Sequence, residues 1–330
     1  EQCRDMAPLP RADASRPIWI FGGGRFGQGV CAALRAEGFE VSGFIETEPR
    51  QSRRLGLPVK RWDDLTDADR TAQLAIGIHN RDTPLNHLEE TARAAGFTVV
   101  LLPWHLHAQF EHQLGWRYWL SKPEQITCQW AELEQAHAIL TDAESRQCLR
   151  DICRFRLGMH TVYGHFRHEM RQYFNALTLN ASTPQAITYV DGGAYNGDTF
   201  LEFARLHQIA KTYLFEPDPD NFAMLQANIQ RSGANVHSIP LALSDCYQVL
   251  SFSAGQGEAG TINPHGSSHI AAMALDEFLP TQRVDFIKLD VEGAEIAALK
   301  GAARLIKRCR PALAISAYHK PQDIWEIPLW

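Results

Sequence analysis

Short apolar runs alternate with helical stretches along the first part of the chain. Strand-like runs occupy residues 18–21, 41–45, 74–78 and 99–102, and a helix-like stretch at residues 30–36 follows the first of them. Such alternation is typical of βαβ units, which assemble into a parallel sheet covered by helices. We therefore predict a Rossmann-like domain over residues 1–103.

A second alternating series fills the last part of the chain, residues 184–330. Its predicted strands lie at residues 188–190, 212–215, 236–239, 284–289 and 312–317. Residues 104–183 carry aromatic and histidine residues at helical spacings and few strand-like runs, which predicts a helical connector. The predicted fold class is α/β, with two open Rossmann-like sheets joined by that connector.

Composition and charge exclude several classes of protein. The 330 residues supply enough apolar material for two cores, and a net charge of -6 gives no cationic field for nucleic acid. No apolar run approaches the roughly 18 residues of a membrane span, and the chain starts without the apolar core of a signal peptide. The seven cysteines form no C-x-x-C pair, so neither a disulfide framework nor a zinc ribbon fits. We expect a cytoplasmic protein; whether the natural chain extends beyond the apolar end at Trp330 is left open by the sequence.

A glycine-rich turn at residues 189–199 joins a predicted strand to a helix. Glycine allows positive φ values and lets a ligand approach bare backbone. Thr199 followed by Glu202 fits a capping box, which predicts a helix start directly after the turn. Because Asp191 and Asp198 make the turn acidic, a ligand with an ammonium and a sulfonium suits it better than a phosphate does. This favours S-adenosylmethionine, with predicted contacts at Asp191, Gly192, Gly193, Tyr195, Asn196, Gly197, Asp198 and Thr199.

The ends of the later strands supply further polar candidates. Glu216, followed by Pro217, ends the second strand where this kind of sheet holds ribose hydroxyls. Ser244 and Asp245 follow the third strand in a small polar loop, residues 241–245, which we assign to the adenine. The fourth and fifth strands bring further side chains to the same carboxyl edge, where ligands bind; these are Asp290, Glu292, Glu295 and His319.

These blocks together resemble the FkbM family of S-adenosylmethionine-dependent methyltransferases, whose members largely O-methylate sugars or natural-product hydroxyls. The resemblance covers roughly residues 144–330, and residues 190–199, 215–217, 285–295 and 318–321 carry it. Residues 145–157 with Tyr173 and Phe174 look like the lead-in of members associated with polysaccharide clusters. The resemblance implies a class I methyltransferase fold, S-adenosylmethionine as cofactor, and a sugar, glycan precursor or related small molecule as acceptor.

Methyl transfer to a hydroxyl requires in-line alignment and a base. We predict Asp290 or His319 as that base; the alternative is that Asp290 caps the following helix and His319 is a structural hydrogen-bonding residue. The alternative function is a nucleotide or nucleotide-sugar binding scaffold with an idle methyltransferase fold. No metal is predicted, because the connector histidines lack carboxylate or cysteine partners at ligand spacing; they are His105, His107, His112, His160, His165 and His168.

A second glycine loop, at residues 22–27, follows the first predicted strand and precedes a helix. With Glu46 at the end of the next strand it forms a dinucleotide-type fingerprint. Residues 17–103 also resemble the N-terminal nucleotide-binding domain of sugar-modifying acyltransferases and epimerases. The expected contacts of a nucleotide, or of a nucleotide-linked acceptor, are Gly22, Gly24, Arg25, Gly27 and Glu46; the alternative is a structural or docking domain. A homodimer is a further expectation that the sequence leaves open.

Overall fold

A computed structural model describes the chain over most of its length. The described residues are 9–80, 83–115, 117, 119–159, 172–174, 185–230, 236–253, 261–262, 266 and 268–330. The chain divides into two compact units, residues 1–168 and 169–330, so the division falls inside the predicted connector. Among the described residues, no helix has the length and apolar character that crossing a membrane requires.

The first unit contains a six-stranded sheet with the order β3-β4-β2-β1-β5-β6. Its strands are β1 (Ile18–Phe21), β2 (Val41–Ile45), β3 (Arg53–Arg54), β4 (Leu57–Lys60), β5 (Gln73–Ile76) and β6 (Val100–Leu101). Only the β3–β4 pair is antiparallel among these described strands. All four residues of β1 are buried, as expected of a central strand covered on both faces.

Helices surround this sheet. They are α1 (Arg25–Ala36), α2 (Asp67–Arg70), α3 (Leu85–Ala94), α4 (Pro103–Leu114), α5 (Pro123–Thr127), α6 (Trp130–Ile139) and α7 (Ala143–Arg156), with a 3-10 turn at Trp62–Asp64. The α1 helix buries Phe26, Val30 and Leu34, which recur at helical spacing and pack in the core of this unit. The predicted helices of residues 104–183 that fall among the described residues therefore exist as α4 to α7.

The second unit contains a parallel five-stranded sheet with the order β15-β14-β7-β8-β9. Its strands are β7 (Ala186–Gly192), β8 (Gln208–Phe215), β9 (Val236–Ile239), β14 (Phe286–Leu289) and β15 (Ala312–Ile315). The predicted strands are confirmed, with ends that shift by a few residues. The order reverses between β7 and β14, and open α/β sheets bind ligands at the carboxyl ends of strands at such a point.

Successive residues of β7 and β14 face two different cores. Tyr189 and Phe286 pack in an aromatic core with Phe203, whereas Val190 and Ile287 face an aliphatic core on the opposite side. The helices that cover the sheet and its ends are α8 (Asp198–Leu206), α9 (Pro219–Ile229), α10 (Leu275–Phe278), α11 (Glu295–Gly301), α12 (Ala303–Cys309) and α13 (Asp323–Leu329).

A separate four-stranded sheet was not predicted. Its order is β10-β13-β11-β12, and its strands are β10 (Ala242–Leu243), β11 (Gln248–Ser253), β12 (Thr261–Ile262) and β13 (Ser268–Met273). The stretch at residues 241–245, which we predicted as a loop, therefore begins with a short strand that pairs with β13.

Candidate functional site

The glycine turn after β7 is fixed by backbone contacts. The N–H groups of Gly193 and Ala194 both donate to the Phe215 carbonyl at the end of β8, each at 3.0 Å. Gly193 has a φ of +76°, and a Cβ atom there would overlap the Asp290 carbonyl oxygen. Glycine is therefore required at this position, because the turn passes directly against the end of β14.

The start of helix α8 differs from the predicted capping box. The helix begins at Asp198 with Gly197 as its N-cap, at a φ of +84°, so Thr199 lies inside the first turn. The Asn196 side-chain oxygen accepts from the Asp198 N–H at 3.1 Å, and the backbone carbonyl of Asn196 accepts from the Asn228 side-chain amide at 2.8 Å. The predicted capping box at Thr199 was wrong, because Gly197 in the left-handed conformation is the N-cap and the helix begins one residue before Thr199.

Asp191 does not lie at the rim of the turn. Its side chain is fully buried; Oδ2 accepts from the Tyr189 hydroxyl at 2.7 Å, and Oδ1 lies 3.0 Å from Lys288 Nζ. Burial raises the pKa of Asp191, whereas Lys288 and Tyr189 oppose that rise. The sequence predicted two exposed carboxylates in this turn. Asp198 is exposed, but Asp191 forms an internal ion pair.

Glu216 lies where the sequence placed it, at the carboxyl end of β8, and it is 5% exposed. Its Oε2 accepts from the Tyr195 N–H at 2.9 Å and its Oε1 from the Asp218 N–H at 2.9 Å. Burial raises the pKa of Glu216, and the two backbone donors counteract that rise. The carboxylate thus ties the glycine turn to the start of α9, next to Pro217.

Asp290 follows β14, and its carboxylate accepts hydrogen bonds from two tyrosine side chains. Its Oδ2 accepts from the Tyr173 hydroxyl at 2.7 Å, and its Oδ1 accepts from the Tyr318 hydroxyl at 3.2 Å. His319 Nε2 lies 3.3 Å from the same Oδ1. Burial opposes ionisation, but Lys288, His319 and the hydroxyl donors hold the pKa of Asp290 below its usual range. Asp290 and His319, the two predicted bases, therefore belong to one hydrogen-bonded group.

His319 is 1% exposed and lies among three carboxylates. Its Nδ1 lies 2.9 Å from Glu295 Oε1, and its Nε2 lies 3.6 Å from Glu292 Oε2. Burial disfavours the charged ring, but the neighbouring carboxylates raise the pKa of His319 overall. The backbone of Glu292 has a φ of +53°, a conformation that residues with side chains rarely adopt.

The residues assigned to the adenine occupy different environments. Ser244 is buried, its Oγ accepts from Gln248 at 2.7 Å, and its carbonyl packs closely against Gly301. Asp245 is exposed. Both follow β10 at the edge of the smaller sheet, and their adenine contact stays a prediction.

Sequence reasoning missed two side chains that complete the site. Lys288 lies within the buried strand β14, and Tyr173 comes from a segment before β7. A lysine inside an otherwise apolar strand is a usable signal, since buried lysines almost always have a charged partner. Tyr173 carried no such signal beyond its place in the family lead-in.

The glycine loop of the first unit packs closely around β1 and α1. Gly22 has a φ of +97°, and a Cβ atom at Gly27 would overlap the Gly22 carbonyl oxygen. Gly24 is the N-cap of α1, without a side-chain cap, and open space surrounds it. Arg25 is exposed. Glu46 is engaged with Arg54, Oε1 to Nη2 at 2.9 Å, rather than facing solvent.

Two of the connector histidines are buried, and three lie outside the described residues. His105 and His107 are buried in the first unit, and His107 Nε2 lies 3.2 Å from the Gly115 carbonyl. His160, His165 and His168 lie outside the described residues.

Residues 191–328 match the model of the Methyltransferase FkbM domain. The second unit is therefore similar to this methyltransferase domain over most of its length. Hexuronic acid methyltransferase AglP of Haloferax volcanii is 30% identical over 125 residues, which cover 36% of this chain and 52% of that protein. The chain thus spans about half the length of this curated relative.

The crystal structure of methyltransferase FkbM from Methylobacillus flagellatus KT aligns with 96% of this chain and 83% of its own, at a TM-score of 0.73 and 22% identity. At that identity the likeness concerns the fold alone. It extends over both units, and it agrees with the predicted α/β class and the class I methyltransferase fold of the FkbM domain.

Proposed function

We propose that the second unit transfers a methyl group from S-adenosylmethionine to a hydroxyl of a sugar or glycan precursor. The observation that carries this proposal is the meeting of the glycine turn, Glu216 and the Asp290 group at the carboxyl edge where the sheet order reverses. The name of AglP makes a hexuronic acid the first acceptor to test.

The residues present suit this cofactor. The turn follows the strand end closely because of Gly193, Glu216 lies at the end of β8 where such sheets hold ribose hydroxyls, and the carboxylates of Asp290 and Glu292 complement a cationic ligand. Bound there, S-adenosylmethionine would supply an electrophilic methyl group on a sulfonium. The chain would then align the acceptor oxygen, exclude water and take up the hydroxyl proton.

Asp290 and His319 are the proposed proton acceptors, acting as a unit. Tyr173 and Tyr318 hold the Asp290 carboxylate, and this fixes where a hydroxyl of the acceptor could donate. Because Lys288, His319 and the Tyr173 hydroxyl lower the pKa of Asp290, the carboxylate orients the hydroxyl more effectively than it removes a proton before transfer.

Calorimetric titration with S-adenosylhomocysteine and S-adenosylmethionine tests the cofactor assignment. Wild-type protein should bind both, and Glu216→Gln should weaken binding by about tenfold or more, equivalent to about 1.4 kcal/mol. Glu326→Gln, on the exposed side of α13, is the matched control and should bind normally. Absence of binding by wild-type protein would refute the proposal. Binding without methyl transfer to any uronic acid or neutral sugar would instead support the scaffold alternative.

We also propose that the first unit binds the phosphate of a nucleotide or nucleotide-sugar. The α1 helix presents an N-terminus without a side-chain cap at open Gly24, next to exposed Arg25. The Arg117 guanidinium lies against the same helix, near Gly29. Burial and the neighbouring Arg25 both lower the pKa of Arg117, as expected where two cations share one region.

Thermal unfolding with UDP-glucose, NAD and inorganic phosphate tests this second site. A nucleotide ligand at a hundredfold excess over its Kd stabilises by about 2.7 kcal/mol, which raises the Tm measurably. Arg25→Ala should abolish the rise, whereas Arg50→Ala, an exposed change on the loop after β2, should keep it. If none of the three compounds shifts the wild-type Tm, the first unit is a structural or docking domain.

A further inference from the structure

Four metal-ligating side chains meet where β14 and β15 end. One ligand atom each from Asp290, Glu295 and His319 lies within 4.8 Å of the others, and Glu292 Oε2 lies 3.6 Å from His319 Nε2. Three carboxyl groups surround one imidazole here, and all four side chains are of types that bind divalent cations. The buried Lys288 forms its ion pair with Asp191, and Lys320, which is exposed, donates to the Gly293 carbonyl.

The Glu295 carboxylate fixes the orientation of the His319 ring. Glu295 is 1% exposed, and its Oε1 accepts from the Val291 N–H at 2.9 Å while lying 2.9 Å from His319 Nδ1. A carboxylate that holds one ring nitrogen of a histidine commonly directs the other nitrogen toward a metal. The other nitrogen of His319, Nε2, faces the carboxylates of Asp290 and Glu292.

The distances on that side suit a shared cation. Nε2 lies 3.3 Å from Asp290 Oδ1 and 3.6 Å from Glu292 Oε2, both longer than the roughly 2.7–2.9 Å of a charge-assisted hydrogen bond. Ligands around a cation with bonds of about 2.1 Å are separated by about 3 Å or slightly more. The atoms therefore have the spacing of neighbouring ligands.

A separate observation concerns the second oxygen of Glu295. Oε2 is buried and makes no hydrogen bond within the part of the chain that the structure describes. A buried carboxyl oxygen without a hydrogen-bond partner is costly. A cation held in the cluster would give this oxygen a partner.

We propose that Asp290, Glu292, Glu295 and His319 hold a divalent cation, Mg²⁺ or Mn²⁺, with Glu295 acting directly or through the His319 ring. The oxygen-rich set with one imidazole favours such hard cations over thiophilic ones. The cation would bind the acceptor oxygens and lower the pKa of the reacting hydroxyl, so Asp290 and His319 would act as ligands in place of proton acceptors; this role rests on the proposed methyltransferase function. This departs from the expectation of no metal, which considered the connector histidines.

Titration of EDTA-treated full-length protein with Mn²⁺, followed by electron paramagnetic resonance of free Mn²⁺ and by calorimetry, tests the site. One Mn²⁺ should bind per chain, and Glu292→Gln and Asp290→Asn should each weaken binding by about tenfold or more. Glu326→Gln, exposed on α13, should bind Mn²⁺ as wild-type protein does. Mn²⁺ affinity in both cluster variants equal to that of wild-type protein would overturn the proposal.

Binding of S-adenosylhomocysteine, measured on the same samples, separates the two proposals. A circular dichroism spectrum and a Tm equal to those of wild-type protein show that Glu292→Gln is folded, so lost Mn²⁺ binding then reports on the cluster alone. Wild-type protein that binds S-adenosylhomocysteine but no Mn²⁺ refutes the cation and leaves the methyltransferase proposal standing; His319 is then a protonated structural link between carboxylates. Binding of Mn²⁺ without S-adenosylhomocysteine refutes the methyltransferase proposal and retains the cation site.

Discussion

Lys288 shows how a single buried residue organises the glycine turn. Its ammonium lies 3.0 Å from Asp191 Oδ1 and donates to the Gly193 carbonyl at 2.7 Å. Burial opposes the charge, but the carboxylates of Asp191 and Asp290 raise the pKa of Lys288. The ion pair therefore joins β14 to β7 and fixes the conformation of the turn that follows β7.

Removing one partner of this pair should be more damaging than removing both. Lys288→Met should lower the free energy of unfolding by about 3–5 kcal/mol, because the Asp191 carboxylate then stays buried without its cation. The double variant Asp191→Asn/Lys288→Met should lose less than Lys288→Met alone, and so less than the sum of the two single variants. Urea unfolding of all four proteins gives this double-mutant cycle. Strictly additive losses would show that the pair does not interact.

At the level of helices and strands, the sequence correctly predicted the strands that are buried on both faces of a sheet. Strands β1 and β2 begin and end where they were predicted, since a parallel strand covered on both faces must be largely apolar on both sides. The smaller sheet was missed because β11 and β13 mix polar residues into short runs, and pairing between distant strands leaves no local pattern.

The site was predictable to a similar depth. The carboxyl-edge rule placed Glu216, Asp290 and His319 correctly on their strands, because that edge follows from the alternation of strands and helices. The Lys288–Asp191 pair depends on the register between β14 and β7, which sets these two residues opposite each other. Register follows from packing of the whole sheet, so no local motif announced the pair.

Both units contain a glycine turn at the end of a sheet strand, but the charged side chains near the two turns have opposite signs. In each unit a glycine turn follows a central strand and leads into a helix. Arg25 and Arg117 accompany the turn of the first unit, whereas Glu216 and Asp290 accompany that of the second. Under the two proposals, similar backbone geometry would serve ligands of different charge, because the chemistry depends on the side chains around the turn.

Buried histidines should make the stability of the molecule depend on pH. Burial lowers the pKa of His105 to about 4, and its Nδ1 accepts from the Leu102 N–H at 3.1 Å, which requires the neutral ring. Burial, with Arg117 and His107, also lowers the pKa of His79 to about 4. In the unfolded chain both rings titrate near 6.5, so between about pH 6.5 and 4 the unfolded state binds more protons.

The stabilisation from the neutral rings is thus complete above pH 6.5 and falls as the pH decreases toward 4, by roughly 3 kcal/mol at most for each histidine. Urea unfolding at pH 7.5, 5.5 and 4.5 measures this loss, to which titrating carboxylates also contribute. His105→Gln keeps an acceptor for the Leu102 N–H but cannot be protonated, so its stability should fall less steeply with acid. The exposed His87→Gln should follow the wild-type curve. Equal slopes for His105→Gln and wild-type protein would mean that protonation of His105 does not oppose folding.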